Sequence, residues 1–198
     1  MSTTWSHPRL GELRFKGDVW TVKVAAPGFD RFRYDTGYSN AGPPTGTYDL
    51  TFCANGSSDP PSAAATELAV RILDHQDELV TAVTRALWED FNGRGPGSGM
   101  WWHGDLATVQ KSVDWEGDGH RISGPDDLLP TMRLFNILIE QRGDEESEPV
   151  AQLCSWSSWE EEHNVGLLTD GSAILGLGYH LDVEPFGWDQ EVEYPGVE

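Results

Sequence analysis

The chain has 198 residues, of which 38% are hydrophobic, and its formal net charge is −20. This length favours a single domain, and nine tryptophans and seven phenylalanines supply apolar area for its core. The charge argues against binding to nucleic acids or to membrane surfaces, because both are anionic and are recognised through Lys and Arg.

The first third of the sequence predicts antiparallel β-strands. Apolar and polar residues alternate over residues 10–15 and 19–24, and Gly17 and Asp18 between them are typical of a hairpin turn. A loop rich in Gly, Pro and Asn follows, and residues 48–53 are the third predicted strand.

The strongest helical pattern lies between residues 63 and 91. The prolines and serine at residues 60–62 are typical of a helix start, and the glycine-rich residues 93–97 are typical of a helix end. The pattern predicts one long helix, or two helices with a break near residues 74–77. The apolar residues at helical spacing are Leu68, Ile72, Leu79, Val83 and Leu87.

Residues 98–119 mix aromatic, polar and turn residues and predict no regular element. Beyond them, residues 124–129 indicate a short helix with acidic residues in its first turn, and residues 132–140 indicate a strand. The remaining predicted strands cover residues 150–156, 165–168 and 173–177. This order of elements predicts a single α+β domain over residues 1–198, in which a mostly antiparallel sheet packs against one long or broken helix.

The negative charge is concentrated towards the end of the sequence. No Lys or Arg follows Arg142, whereas fourteen Asp and Glu residues do. This asymmetry indicates either an interaction surface, for which a basic protein is the complementary partner, or a loose acidic tail over residues 188–198. The alternative is that the charge only maintains solubility or reflects a saline habitat.

The sequence contains no motif for a cofactor, a signal peptide or a membrane span. It has neither a Gly-x-Ser-x-Gly elbow nor a Gly-Lys-Ser/Thr phosphate loop, and Gly176 and Gly178 alone are too weak to indicate a nucleotide site. Cys53 and Cys154 do not make a disulfide framework or a zinc site, and they are expected to be buried free thiols. We therefore expect a cytoplasmic protein without a cofactor, and the sequence does not indicate its oligomeric state.

The first cluster of candidate functional residues lies at residues 155–166. Here Glu160, Glu161, Glu162 and His163 follow two tryptophans. Carboxylates beside an imidazole could bind a divalent metal or transfer a proton, but the chain has no second Glu/His motif to complete such a site. The favoured interpretation is that the acidic residues are solvated and that His163 stabilises a turn through hydrogen bonds.

The second cluster, at residues 100–103, places two adjacent tryptophans beside a histidine. Three hypotheses remain open: a protein-binding module with a basic partner, a metal-dependent enzyme using the Glu/His cluster, and a small-ligand-binding protein with a Trp-lined pocket. The first is favoured, and no catalytic residue is predicted. The candidate binding residues are Trp101, Trp102, His103, Trp156, Trp159, Glu161, Glu162 and His163.

Four segments of the chain occur in an order that is similar to a known pattern. Residues 79–91, 124–128, 132–140 and 159–167 give a helix with an aromatic end, an Asp-Asp-Leu element, a strand and a signature of Trp, acidic residues and His. In this respect the chain resembles an uncharacterised bacterial domain family of unknown function, found among immunity proteins of polymorphic-toxin systems. Asn164 stands where the family has glycine, and Asn is the next best residue for a positive φ. The resemblance implies a small acidic binding protein, such as a toxin-neutralising immunity protein.

Overall fold

The computed structural model confirms the prediction of an α+β fold with a mostly antiparallel sheet. The described part of the chain forms three α-helices, two short 3-10 helices and one eight-stranded sheet. The acidic tail predicted at residues 188–198 lies outside it. The described residues are 3–35, 43–54, 58–96, 106–115, 120–140, 148–160 and 162–187, apart from the side chain of Trp115.

The order of the strands across the sheet follows their order in the sequence. The strands are β1 (Thr3–His7), β2 (Gly11–Lys16), β3 (Val19–Ala25), β4 (Thr47–Cys53), β5 (Met132–Glu140), β6 (Val150–Ser157), β7 (Val165–Thr169) and β8 (Ile174–Tyr179). All neighbouring strands pair antiparallel except β4 and β5, which pair in parallel. The sheet therefore consists of two four-stranded antiparallel halves. Strand β1 was not predicted.

The helical pattern of residues 63–91 forms two helices, α1 (Ala63–Asp74) and α2 (Gln76–Phe91). The prediction of one long helix is therefore not confirmed. His75 separates the helices with a φ of −123° and a ψ of 34°, and it lies inside the predicted break at residues 74–77.

A third helix, α3 (Leu106–Trp115), lies in the stretch for which no element was predicted. The two 3-10 helices are Pro27–Arg31 and Pro125–Thr131, and the second corresponds to the short helix expected at residues 124–129. None of the helices in the described part of the chain is long and apolar enough to cross a membrane.

The parallel pair β4–β5 determines where the helices lie. A parallel connection must return the chain to the opposite end of the sheet, so the segment between β4 and β5 crosses one face. This segment contains all three α-helices of the described chain. We call this the helix-covered face. One row of buried sheet residues on this face crosses five strands: Leu50, Ile137, Leu153, Leu167 and Leu177.

The opposite face of β7 and β8 is covered by the chain that follows β8. Residues 180–186, here called the strap, place Val183 against Gly178, where Val183 is 3% exposed. The carbonyl group of Glu184 lies so close to Gly176 that a Cβ atom at this position would overlap with it. This close approach of two backbones explains why glycines occur at both positions in β8.

Candidate functional site

The turn between β6 and β7 contains the Glu/His pair expected from the sequence. His163 Nδ1 lies 3.0 Å from Glu160 Oε1, and the same oxygen accepts a hydrogen bond from the His163 backbone N–H at 3.1 Å. A carboxylate oxygen only accepts, so the hydrogen of this contact belongs to Nδ1. Asn164 follows with a φ of 59°, the left-handed conformation that also suits glycine. The pair therefore stabilises a turn, as the sequence predicted for His163. The expectation that the acidic residues are solvated is wrong for Glu160, whose side chain is only 13% exposed.

This turn packs against the end of β8 and the beginning of the strap. The ring centroids of His163 and Tyr179 are 4.7 Å apart, and the His180 backbone N–H donates to the Asn164 carbonyl oxygen at 3.2 Å. Burial, and secondly the negative charge of Glu160, raise the pKa of Tyr179. The β6–β7 turn and the strap therefore form one continuous surface.

The side chain of His180 joins the strap to β6. Its Nδ1 accepts a hydrogen bond from Gln152 Nε2 at 2.9 Å, and the same amide nitrogen donates to the His180 carbonyl oxygen at 2.5 Å. Burial lowers the pKa of His180, and the charge of Glu140 opposes this effect only in part. These contacts favour a neutral imidazole that has a structural role.

A row of aromatic side chains extends from the strap across the face opposite to the helices. The His180 ring centroid lies 5.6 Å from that of Phe135, which in turn lies 4.7 Å from that of Trp156. The guanidinium carbon of Arg133 lies 6.0 Å from the Trp156 centroid, at cation–π distance. The pairing of β5 with β6 shifts register at Phe135, so a β-bulge presents this ring. We call Trp156, Phe135 and His180 the aromatic row.

Trp159 lies in a different environment from Trp156. It is 6% exposed, and its ring packs edge-on against Phe91 of α2 at 5.5 Å. Trp159 belongs to the core under the helices, whereas half-buried Trp156 lies on the opposite face. Trp156 and Trp159, two of the four candidate tryptophans, are therefore separated by the sheet and do not line one pocket together.

The β6–β7 turn and the strap together form an exposed acidic surface, which we call the acidic corner (residues 162–164 and 179–184). Its exposed carboxylates belong to Glu162, Asp182 and Glu184. The sequence has no Lys or Arg after residue 142, so neither segment supplies a basic side chain apart from its histidines. The arrangement can offer negative charge to a partner, but it holds no activated nucleophile.

Several candidate residues cannot be placed in this surface. Trp101, Trp102, His103 and Glu161 lie outside the described residues. Of the remaining candidates, Glu162 and His163 lie in the acidic corner, and Trp156 lies in the aromatic row that leads to it.

The described residues do not include a group of three His, Cys, Asp or Glu side chains that could hold a metal ion together. Glu160 and His163 provide a pair only, whereas a catalytic zinc site uses three protein ligands. The cysteines are free thiols: Cys154 is buried and Cys53 half-buried. Burial raises the pKa of Cys154 to about 12 and also raises that of Cys53, which makes both poor nucleophiles near neutral pH.

Local sequence patterns do not indicate a role for Phe135 or Tyr179. Phe135 lies at a β-bulge, and a bulge depends on how two strands pair. The local sequence therefore does not predict the position of this ring. The Gly176 and Gly178 pair was the available signal for the strap, because glycines in a strand mark close backbone approach.

Comparisons with models of known protein families, with curated proteins and with solved structures give no significant match.

Proposed function

We propose that this chain is an acidic protein-binding module whose partner is a basic protein. The specific form that we propose is an immunity protein, which neutralises a basic toxin by binding to it. This form agrees with the resemblance of the C-terminal half to domains found among such proteins. No catalytic step belongs to the proposal.

The observation that supports the proposal most is the order of the strands. Because this order follows the sequence, residues that are far apart along the chain lie at opposite edges of the sheet, roughly 30 Å apart at normal strand spacing. The exposed basic residues Arg14, Lys16 and Lys23 lie on β2 and β3, whereas β6, β7 and β8 contain no Lys or Arg. Within the sheet, the asymmetry of charge along the sequence thus becomes an asymmetry from edge to edge. On the helix-covered face, Arg71 of α1 reaches the β7–β8 turn, where it donates to the Asp170 carbonyl oxygen at 2.9 Å.

The β1–β4 half of the sheet and the acidic corner differ in the ion pairs that their exposed charged residues form. On the β1–β4 half, Lys23 Nζ lies 2.9 Å from Asp49 Oδ1, and Arg14 Nη2 lies 3.4 Å from Glu12 Oε1. In the acidic corner, no ion pair joins Glu162 or Asp182 to a Lys or Arg of the described chain. The field of these carboxylates is therefore less compensated and extends into solvent.

An uncompensated field of this kind selects partners by charge. Exposed charges act over about 8–10 Å at physiological salt, so neighbouring carboxylates add their potentials. Complementary charge raises association rates by about 10- to 1000-fold and disfavours acidic partners. A basic toxin is thus a partner for which this distribution is suited.

The test is co-expression with the protein encoded by the adjacent gene, followed by calorimetry on the two purified proteins. We expect this chain to relieve the growth inhibition that the neighbour causes. We also expect a tight complex that weakens at least about tenfold when salt is raised from about 0.05 to about 0.3 M. If the neighbour is not basic, or if affinity does not respond to salt, the proposed function is wrong.

A further inference from the structure

Leu181 is an exposed apolar side chain within the acidic corner. It is 86% exposed, and among the described residues it is the one large hydrophobic side chain that is exposed. A single exposed leucine is common and has no meaning by itself. The backbone and the side chains around this residue are what make it informative.

The backbone of Leu181 is fixed by hydrogen bonds on both sides. The preceding residue, His180, donates its N–H to the Asn164 carbonyl oxygen at 3.2 Å, and the following residue, Asp182, donates its N–H to the Tyr179 carbonyl oxygen at 3.0 Å. A residue whose backbone is held in this way loses little conformational freedom when a partner binds its side chain. Leu181 is therefore preorganised as a contact residue.

The surroundings of Leu181 combine apolar and negative groups. The aromatic row ends at His180, directly before Leu181, and half-buried Phe135 and Trp156 continue it across the sheet. The carboxylate of Asp182 follows directly, and that of Glu162 lies on the neighbouring turn. An apolar centre with a charged rim is the usual arrangement of a protein interface.

We propose that the acidic corner is the docking surface for a basic protein segment, with Leu181 as its apolar anchor and Glu162 and Asp182 as its charged rim. This inference rests on the proposed function and assigns it to one surface. The anchor enters an apolar depression of the partner, and the rim carboxylates face Lys or Arg side chains around that depression. The anchor slows dissociation, whereas the rim speeds association.

A second copy of the same chain fits this surface less well than a basic partner. Symmetric pairing would bring two copies of Glu162 and Asp182 together without a Lys or Arg from either segment, and like charges at an interface are unfavourable. Charge complementarity therefore favours a basic protein over self-association.

The experiment uses the full chain, labelled with nitrogen-15, and two lysine-rich peptides of equal charge. One peptide has leucine at its central position, and the other has serine there. We expect the leucine peptide to shift the amide resonances of residues 162–164 and 179–184. We also expect it to bind about five- to tenfold more tightly than the serine peptide, because only leucine adds an apolar contact.

Variants assign these effects to side chains. Leu181→Ala should weaken the leucine peptide about five- to tenfold, to the level of the serine peptide. The double variant Glu162→Gln, Asp182→Asn should weaken both peptides about two- to fivefold at low salt. The matched control is the double variant Glu67→Gln, Glu78→Gln, which removes two exposed carboxylates from α1 and α2 and should change neither affinity. Because Leu181 and the rim residues are exposed, these variants should fold normally.

The outcomes separate the docking surface from the proposed function. If both peptides bind with strong salt dependence but Leu181→Ala changes nothing, or if the shifts lie elsewhere, the docking surface is wrong and the proposed function survives. Self-association that Leu181→Ala abolishes would assign the surface to a second copy and overturn the inference. If neither peptide binds even at low salt, the docking surface and the proposed function are both contradicted.

Discussion

Replacement of Gly176 by alanine tests how tightly the strap is packed on the sheet. The new Cβ would overlap the carbonyl oxygen of Glu184, and it would lie 3.0 Å from the carbonyl carbon and 3.1 Å from Leu168 Cδ1. Ordinary contacts begin at 3.4 Å, and the obstructing group is backbone, so a rotamer change cannot relieve the overlap. Overpacking of this kind costs about 1–3 kcal/mol, and we expect Gly176→Ala to lower the free energy of unfolding by this amount.

Urea unfolding followed by tryptophan fluorescence measures this loss. Thermal unfolding should show a decrease in Tm of roughly 2–4 °C for each kcal/mol in a chain of this size. The matched control is Gly124→Ala, because no atom lies within 4 Å of its Cβ and its φ of −162° suits any residue. Hydrogen exchange should also become faster at the Phe186 amide, which donates to the Leu175 carbonyl oxygen at 2.8 Å. Unchanged stability together with unchanged exchange at Phe186 would show that the strap is not packed tightly on β8.

Three further substitutions test local features. Because Asn164 has a φ of 59°, Asn164→Ala should cost about 1 kcal/mol in urea unfolding, whereas Asn164→Gly should cost almost nothing. Burial holds the pKa of His180 in the folded protein below its unfolded value of 6.5. Neutral His180 therefore contributes fully to the free energy of unfolding above pH 6.5, and this contribution is lost as the pH falls through the folded pKa. In unfolding measured from about pH 8 to about pH 5, His180→Gln should remove this loss, and the exposed control His75→Gln should retain it. Ser62→Ala should cost about 1 kcal/mol in urea unfolding followed by circular dichroism, because Ser62 Oγ accepts the Ala65 N–H at 3.1 Å and caps α1; an unchanged midpoint would contradict the cap.

The sequence predicts a strand where one face of the strand is buried in the core and the other is exposed to solvent. In β2, Leu13 is fully buried while Arg14 is exposed. The alternation of apolar and polar residues in the sequence predicts this difference in burial. Strand β1 lacks such a contrast, because none of its residues is fully buried. It is a strand because its backbone pairs with β2, where Trp5 lies opposite Leu13. This pairing leaves little trace in local composition.

Helix α3 was missed although its spacing was present. Leu106, Val109 and Val113 follow a helical interval, and the two valines are buried. The glycines on both sides of this segment indicate turns, and three apolar positions are a weaker signal than these glycines. A short helix has few such positions, so tertiary contacts decide its formation.

The candidate site was predictable only in its local part. Glu160 and His163 are three residues apart, and a turn hydrogen bond between them follows from that spacing. The contact between Phe135 and His180 joins residues 45 positions apart and depends on a bulge and on the path of the strap. No property of either residue alone indicates it.

The strand order determines where the acidic residues lie relative to the basic residues of the sheet. If β7 or β8 paired with β2 or β3, segments without Lys or Arg would lie beside the strands that contain Arg14, Lys16 and Lys23, and positive and negative charge would be less separated. The parallel junction of β4 and β5 also keeps the helices on one face, so the strap and the aromatic row can occupy the other. A partner that recognises the location of charge, and not only its total, would therefore distinguish this chain from other proteins of equal net charge.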